Sequence, residues 1–507
     1  MEYLNSLSSD VVEINITYKK LNILPNLSRF TCLQKLDCSS NYLSKLDDLP
    51  LSLLELNCSL NNLARLNNLP SFLRILDCSF NRLARLNNLP SSLQKLDCSH
   101  NKLTRLDNLP SSNSVLQIND LHSYGSFLQE LCCSNNKLTR LDNLPFSLKI
   151  LNCSHNQLIK LDNLPLSLKS LNCSYNQLIQ LDNLPLSLIK LICYHNQIMQ
   201  LDNLPLSLQK LYCNFNLLTQ LDKLPSSLQE LDCSNNQITQ LDNLPSSLQK
   251  LDCSVNQLTQ LDNLPSSLQV LKCSGNQITQ LNNLSYSLQD LDCTNNQIIQ
   301  LDNLPYSLQI LKCSDNQLTQ LDNLPSSLQE LDCSNNQLSQ LDNLPIFLQK
   351  IYCSCNRLIQ LDNLPLSLQE LTCPFNQLTQ LDKLPSSLQE LDCSNNQITQ
   401  LDNLPFSLKT LYCSKNQLLH LNNLPLSVQL LNCSENKMIN NDSKYWGEII
   451  KNKKIKLLKE KFNARKIQKI WRKYWYDIYK YELIDGEYIG FCRFIEKSYS
   501  IINGSSI

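Results

Sequence analysis

The chain has no apolar run approaching the roughly 18 residues that a membrane-spanning helix needs, which excludes such a helix from the reading. Its first residues, MEYLNSLSSDVVEIN, lack the basic flank and the apolar stretch of a secretory signal. Nor does one charge dominate: 44 Lys and Arg stand against 45 Asp and Glu, so no strong field favours an oppositely charged partner over the whole surface. The balance hides a split, because residues 441–507 carry 15 basic against 8 acidic side chains and leave 29 against 37 in the first 440. Tryptophan is scarce, and all three, Trp446, Trp471 and Trp475, lie in that basic tail. A long, mildly acidic array and a short basic tail are therefore two different objects.

What is abundant is repetition. From Leu33 to about Asn440 a 20-residue unit recurs, as in LQELDCSNNQITQLDNLPSS from Leu228 to Ser247. A fixed period of this size specifies a stacked solenoid, since each unit has an apolar inward face that only its neighbours can cover. Around LxC a short parallel strand is predicted, with Leu and Cys inward and the intervening residues outward. Asn follows in all 20 regular units, from Asn41 to Asn436, and its amide is expected to bond turn backbone above and below it. The return arm, LxxLDNLP, is too short for a multi-turn helix and its Pro fixes an extended φ, so a polyproline-like convex arm is expected.

Of 24 Cys, 20 occupy one repeat position, and the extras are Cys32, Cys132, Cys355 and Cys492. Side chains on neighbouring strands run parallel about 4.8 Å apart, which suits thiols filling a narrow core better than the facing geometry of a disulfide. Reduced thiols, and with them an intracellular location, cytoplasmic or nuclear, are expected. No cofactor is called for. His155 and His195 stand two units apart, about 9–10 Å, too far to share a metal. Ile14, Ile16, Leu21, Leu24 and Leu27 fall on the apolar offsets of the repeat, so residues 1–32 read as an N-terminal capping repeat ahead of the solenoid at 33–440. The interval from Cys98 to Cys133 is 35 residues, and the surplus near 111–125 is expected to loop out between two units.

The pattern LxxLx(L/C)xxNxL resembles leucine-rich repeats, and its length with the closing LxxLP is similar to the short units of bacterial secreted effectors and of arrays in large DNA viruses of protists. The resemblance covers residues 12 to about 440. It implies a leucine-rich-repeat solenoid that binds protein on its concave strand face, without naming the partner. Some such effectors continue into a ubiquitin-ligase domain with a catalytic Cys; here about 67 residues follow, with Cys492 their sole thiol, so a non-enzymatic protein is expected.

Departures from the repeat mark where its surface differs. Just before the repeated Asn, four consecutive units read His155, Tyr175, His195 and Phe215. Nearby outward positions change as well: Asn152 and Asn172 give way to Ile192 and Tyr212, and the usual Ser becomes Tyr194 and Asn214. Clustered exposed aromatics are typical of interface hot spots, so these side chains are the candidate binding patch. Tyr352, Cys355, Thr372, Pro374 and Phe375 form a second, smaller candidate. Outward acids such as Asp232, Asp252 and Glu330 are interleaved with Lys250, Lys272 and Lys312 and read as a solvated mixed face.

From Asp442 the repeat vanishes, and the Pro-free stretch that follows has helical periodicity, so a basic α-helical tail is predicted over 441–507. Within residues 464–477, ARKIQKIWRKY resembles the IQ motif, the helix gripped by calmodulin-like EF-hand proteins: Ile467, Gln468 and Arg472 match its core, while Lys473 and Asp477 depart from it. Ile467, Ile470, Trp471 and Tyr474 supply an apolar stripe for such a partner. Other roles stay open for the tail: a cap docked on the last unit through Tyr445 and Trp446, contact with nucleic acid, or contact with an anionic membrane surface. A structural array with no specific ligand is the alternative to the scaffold as a whole.

Overall fold

A computed structural model describes residues 4 and 6–437 apart from 108, 111–127, 382 and 422–423. The insertion expected near 111–125 and the IQ-like tail helix lie outside the described residues. Two compact units are distinguished, meeting in sequence at Leu348 and Gln349. In the first, sixteen three-residue strands run from β1 (Glu13–Asn15) and β2 (Lys35–Asp37) to β16 (Glu330–Asp332). In the second, five run from β17 (Lys350–Tyr352) to β21 (Leu430–Asn432). Within each unit every strand pairs in parallel with the next in sequence, in a register that places repeat position on repeat position; β7 (Ile150–Asn152) and β8 (Ser170–Asn172) pair Ile150 with Ser170, Leu151 with Leu171 and Asn152 with Asn172. Apart from a helical turn at Leu4 and Ser6, strands are the regular elements among the described residues.

The alternation Leu-in, x-out, Cys-in follows the two-residue period of a strand. In the turn of chain that contains β7, Leu148, Cys153 and Leu158 have no accessible surface and Leu151 has 1%. Burying each such leucine contributes roughly 1.5–3 kcal/mol, and none could be buried by one turn alone. Cysteine fits because the thiol is small and finds an acceptor in the next strand, as Cys78 does by donating to the carbonyl of Asp97 at 3.3 Å. All described cysteines are free thiols. Burial pushes the Cys173 thiol up to about 12, and its neighbours on the ladder are raised for the same reason.

Each repeated Asn ties its own turn to the preceding one. Asn176 Nδ2 lies 3.0 Å from the Cys173 carbonyl, 3.1 Å from that of Ser174 and 3.1 Å from that of Cys153 one unit earlier. Its Oδ1 accepts from the backbone N–H of Leu158 at 3.0 Å. The expected ladder is thus present, but each amide reaches its own turn and the preceding one rather than the turns on both sides. At the N-terminal end Asn41 reaches the Ile16 carbonyl in the same way, which links β1 to the first regular unit.

The return arm departs from a uniform polyproline conformation at one residue. In DNLP the Asn takes φ near +55°, as at Asn163 (+55°) and Asn183 (+53°), whereas polyproline requires φ near −75° throughout. Asn is the residue that best tolerates this left-handed conformation after Gly, which accounts for its recurrence in the arm.

Replacing Asn176 by Leu leaves three carbonyls and one N–H of two turns without this amide. At about 1–3 kcal/mol for an unsatisfied buried group, the local opening free energy around β7 and β8 should fall by at least about 3 kcal/mol, read by native-state hydrogen exchange at Leu158 and Cys173; a loss below about 1 kcal/mol would contradict the role given to the amide. At pH 8, iodoacetamide should label Cys32 and Cys355, the exposed thiols, well before the buried ladder thiols, which should react only after unfolding; comparable rates at both sets would contradict the packing described.

Candidate protein-interaction face

The residue immediately before each repeated Asn takes a positive φ in every regular unit, for example +51° at His155 and +53° at Asn235. Two demands fix it there. Its own N–H must donate to the next unit, as His155 does to the Ser174 carbonyl at 3.0 Å, while the following Asn turns its amide inward. An ordinary L-residue in this conformation costs about 1–2 kcal/mol, and Asn or Gly costs least. Asn135, Asn235, Gly275, Asn295, Asn335 and Asn395 obey that preference. His155, Tyr175, His195 and Phe215 do not, and neither do ten other units, among them Ser40, Val255, Asp315 and Lys415; what sets the four apart is that they are consecutive and aromatic.

Those four rings stack on one another along the solenoid. His155 and Tyr175 have centroids 4.0 Å apart, Tyr175 and His195 4.3 Å, and His195 and Phe215 4.2 Å, with interplanar angles of 15°, 12° and 8°. Strand spacing brings the rings into register, and stacking recovers part of the backbone strain. Tyr194 joins edge-on to Tyr175 at 5.4 Å. The rings, with Asn176, Asn196, Gln197 and Leu217, line an open groove of about 750 Å³. Burial lowers the proton affinity of both imidazoles, at His155 assisted by the charge of His195, and burial raises the pKa of the Tyr194 hydroxyl.

The strand positions grouped with them belong to a neighbouring, more polar arrangement. Ile192, at the end of β9 (Lys190–Ile192), is buried at 9% exposure and adds support more than accessible surface. Tyr212, at the end of β10 (Lys210–Tyr212), donates its hydroxyl to Glu230 Oε2 at 2.6 Å, and Lys190 Nζ lies 5.6 Å from its ring centre. Glu230, which opens β11 (Glu230–Asp232), also meets Lys210 at 3.4 Å and Lys250 at 3.7 Å. Burial alone would raise its carboxyl, but the Tyr212 hydroxyl and the two lysines outweigh that and hold it below the ordinary range. The sequence patch is therefore two adjoining features, a stacked aromatic rim and a polar cluster at its end. In the second unit Tyr352 is half-buried in β17, and Phe375 and Cys355 are exposed at the same left-handed position as the rings of the first.

One pair escaped the sequence reading. Phe80 and His100 occupy the ladder position in earlier units and stack at 3.9 Å and 10°. Comparing that one position along the entire chain would have found them. Among the described residues no group of three or more His, Cys, Asp or Glu is placed to hold a metal ion, and no helix is long and apolar enough to cross a membrane.

Comparison with known proteins bears on the repeat. The family described as Leucine Rich repeats (2 copies) matches residues 226–266, and Leucine Rich Repeat matches 327–346 and 387–407. Among solved structures, YopM from Yersinia enterocolitica WA-314 is similar over 83% of this chain and 91% of its own, with 36% identity and a TM-score of 0.77. YopM from Yersinia pestis, a leucine-rich effector protein, is similar over 68% of this chain and 88% of its own at 32% identity and a TM-score of 0.53. The functional domain of InlJ from Listeria monocytogenes, which includes a cysteine ladder, covers 69% of this chain and 74% of its own at 27% identity and a TM-score of 0.51. No curated protein sequence matches.

The folded-state pKa values of His155 and His195 lie below the usual 6.5, so on acidification the unfolded chain takes up protons first. The stability owed to the neutral stack is complete above pH 6.5 and is lost as the pH falls below it. An NMR titration should place both imidazoles below 6.5, with hydrogen exchange across β7–β10 accelerating over the same range; a value at or above 6.5 for either ring would contradict the burial described.

Proposed function

We propose, for a chain that belongs to the leucine-rich repeat family, that it is a non-enzymatic scaffold binding a protein partner on the strand face of its repeats, the concave face of such arrays. The observation that carries this reading is the set of four consecutive aromatic side chains at the left-handed position before the repeated Asn, stacked and opening on a groove. Tyr175 is 38% and Phe215 44% exposed, so both can contact a partner. His155, Tyr194, His195 and Tyr212 complete this candidate surface, Ile192 supports it from below, and Tyr352 and Phe375 form the lesser one. A stiff preformed face loses little conformational freedom on binding, which is the mechanism this architecture favours.

The tail supplies a second docking element in this reading. In this reading residues 441–507, for which the sequence predicts a basic helical segment, are a part separate from the cap at 1–32 and the solenoid at 33–440. Ile467, Gln468, Ile470, Trp471, Arg472 and Tyr474 of its IQ-like stretch engage a calmodulin-like EF-hand protein, and the reduced thiols of the array fit a cytoplasmic or nuclear setting. The support for the tail is the sequence alone: an apolar stripe flanked by an excess of Lys and Arg.

The test uses the full chain incubated with cell extract, with and without calcium, and bound proteins identified by mass spectrometry. The double substitution Tyr175→Ser and Phe215→Ser should reduce capture of the repeat-face partner at least tenfold and leave EF-hand proteins unaffected; Ile467→Ala with Arg472→Ala should do the reverse. Unchanged capture of every protein by the first variant would sink the strand-face reading, and unchanged EF-hand capture by the second would sink the tail reading.

A further inference from the structure

We infer that the strand face over β7–β10 is a docking window for an acidic segment of a partner protein whose apolar side chains rest on the two rims of the sheet. This rests on the scaffold reading above and narrows it to four repeats and one partner chemistry.

Charge is the first observation. Between Glu130, which opens β6 (Glu130–Cys132), and Glu230 no outward strand position carries a carboxylate; from residue 143 to 229 the acids are Asp162, Asp182, Asp202 and Asp222, all in return arms. Lys190 and Lys210 open β9 and β10, and Lys149 and Lys169 stand just before β7 and β8, where most units have Gln. Ion pairs close both ends: Lys95 with Glu130 at 2.8 Å and Lys210 with Glu230 at 3.4 Å. Beyond Glu230 the outward acids resume at Asp232 and Asp252. A basic window is thus set into an array that is acidic on balance, and complementary charge both attracts and orients a ligand there.

The rims are the second observation. Strands β7–β10 run towards the aromatic stack. At the rim where they start, the residue after each Pro is apolar and largely exposed: Phe146 at 56%, Leu166 at 81%, Leu186 at 79% and Leu206 at 75%. In the next three units that position is Ser226, Ser246 and Ser266. The aliphatic ridge, the aromatic stack and the acid-free strands therefore cover the same four repeats although they arise from three separate places in the unit. The post-Pro position is apolar and exposed in other units too, as at Leu51 and Leu366; what distinguishes β7–β10 is that all three features coincide over four consecutive repeats. Exposed apolar rows framing a charged strip mark an interaction surface.

Ring geometry favours a polypeptide over nucleic acid. Bases bind single-strand platforms by stacking on open ring faces. Here the faces are covered by neighbouring rings at 4.0–4.3 Å, so the ladder offers mainly edges and no open stacking platform. Ring edges carry the positive part of the aromatic quadrupole and suit carboxylates or the faces of a partner's aromatic side chains.

A phage-displayed random 12-residue peptide library panned on the full chain tests the inference, followed by fluorescence anisotropy with the selected peptides and with a labelled dT20 oligonucleotide. The expected result is enrichment of peptides combining Asp or Glu with Leu, Phe or Trp. Lys149→Glu, Lys169→Glu and Lys190→Glu together should weaken their binding at least tenfold, as should Leu166→Ser with Leu186→Ser, while Lys350→Glu in the second unit has no effect. Lys149→Gln, Lys169→Gln and Lys190→Gln, milder changes that remove charge alone, should show a smaller loss in the same direction and guard against misfolding. Selection of neutral or basic peptides that respond to Tyr175→Ser and Phe215→Ser but not to charge reversal would overturn the acidic chemistry and leave the scaffold reading standing. Lysine-dependent binding of dT20 without peptide binding would overturn the inference in favour of nucleic acid. Retention of no peptide at all would overturn both readings.

Discussion

The structure depends on one side-chain amide per turn. A stack of parallel three-residue strands must reverse direction after each strand, and reversal strands backbone carbonyls in a nearly dry bend, where each would cost about 1–3 kcal/mol unpaired. The repeated Asn meets two such groups in its own turn and two in the turn before, so the element that satisfies the bend also fixes the register of the stack. No other neutral side chain of that length offers two donors and an acceptor. Leucine and cysteine then fill the space that the ladder defines, and the narrowness of that space accounts for a thiol where a larger apolar residue would push the turns apart.

The same amide sets the problem from which the binding face arises. Aiming it inward forces the preceding residue into the left-handed region and leaves that side chain facing out at the rim. Six turns keep Asn or Gly there, and ten others carry unlike residues such as Ser40, Val255 and Lys415, so the array tolerates this strain widely. Four neighbouring turns instead place His155, Tyr175, His195 and Phe215 at this position, and stacking at strand spacing offsets part of the cost. Structure and proposed function thus meet at adjacent residues: Asn156 and its equivalents hold the array, and the residues before them carry what distinguishes one stretch of it from another.

Legibility in the sequence followed the same division. The strand, its inward Leu and Cys, and the Asn ladder were readable because a 20-residue period averages out local noise and each inward offset has one chemical requirement. The left-handed arm residue was not anticipated, although Asn in DNLP carried the signal, because Pro dominated the reading of that segment. The candidate patch was found from departures between units, but its internal arrangement was not: Ile192 turns out to be buried and Tyr212 to be bonded to Glu230, since the identity of a side chain does not say whether its neighbours leave it room. Phe80 and His100 were overlooked because the comparison was confined to runs of several departing units.

The central claim is that the aromatic rim is kept for binding at some expense in backbone conformation. The most direct measurement is reversion of the four residues to the local preference, His155→Asn, Tyr175→Asn, His195→Asn and Phe215→Asn in one full-length chain, with hydrogen exchange across β7–β10 and partner capture measured side by side. The account predicts protection at least equal to that of the unaltered chain, because Asn relieves about 1 kcal/mol or more of strain per site, together with loss of the partner. Weaker protection with capture intact would show the rings to be structural and would contradict it.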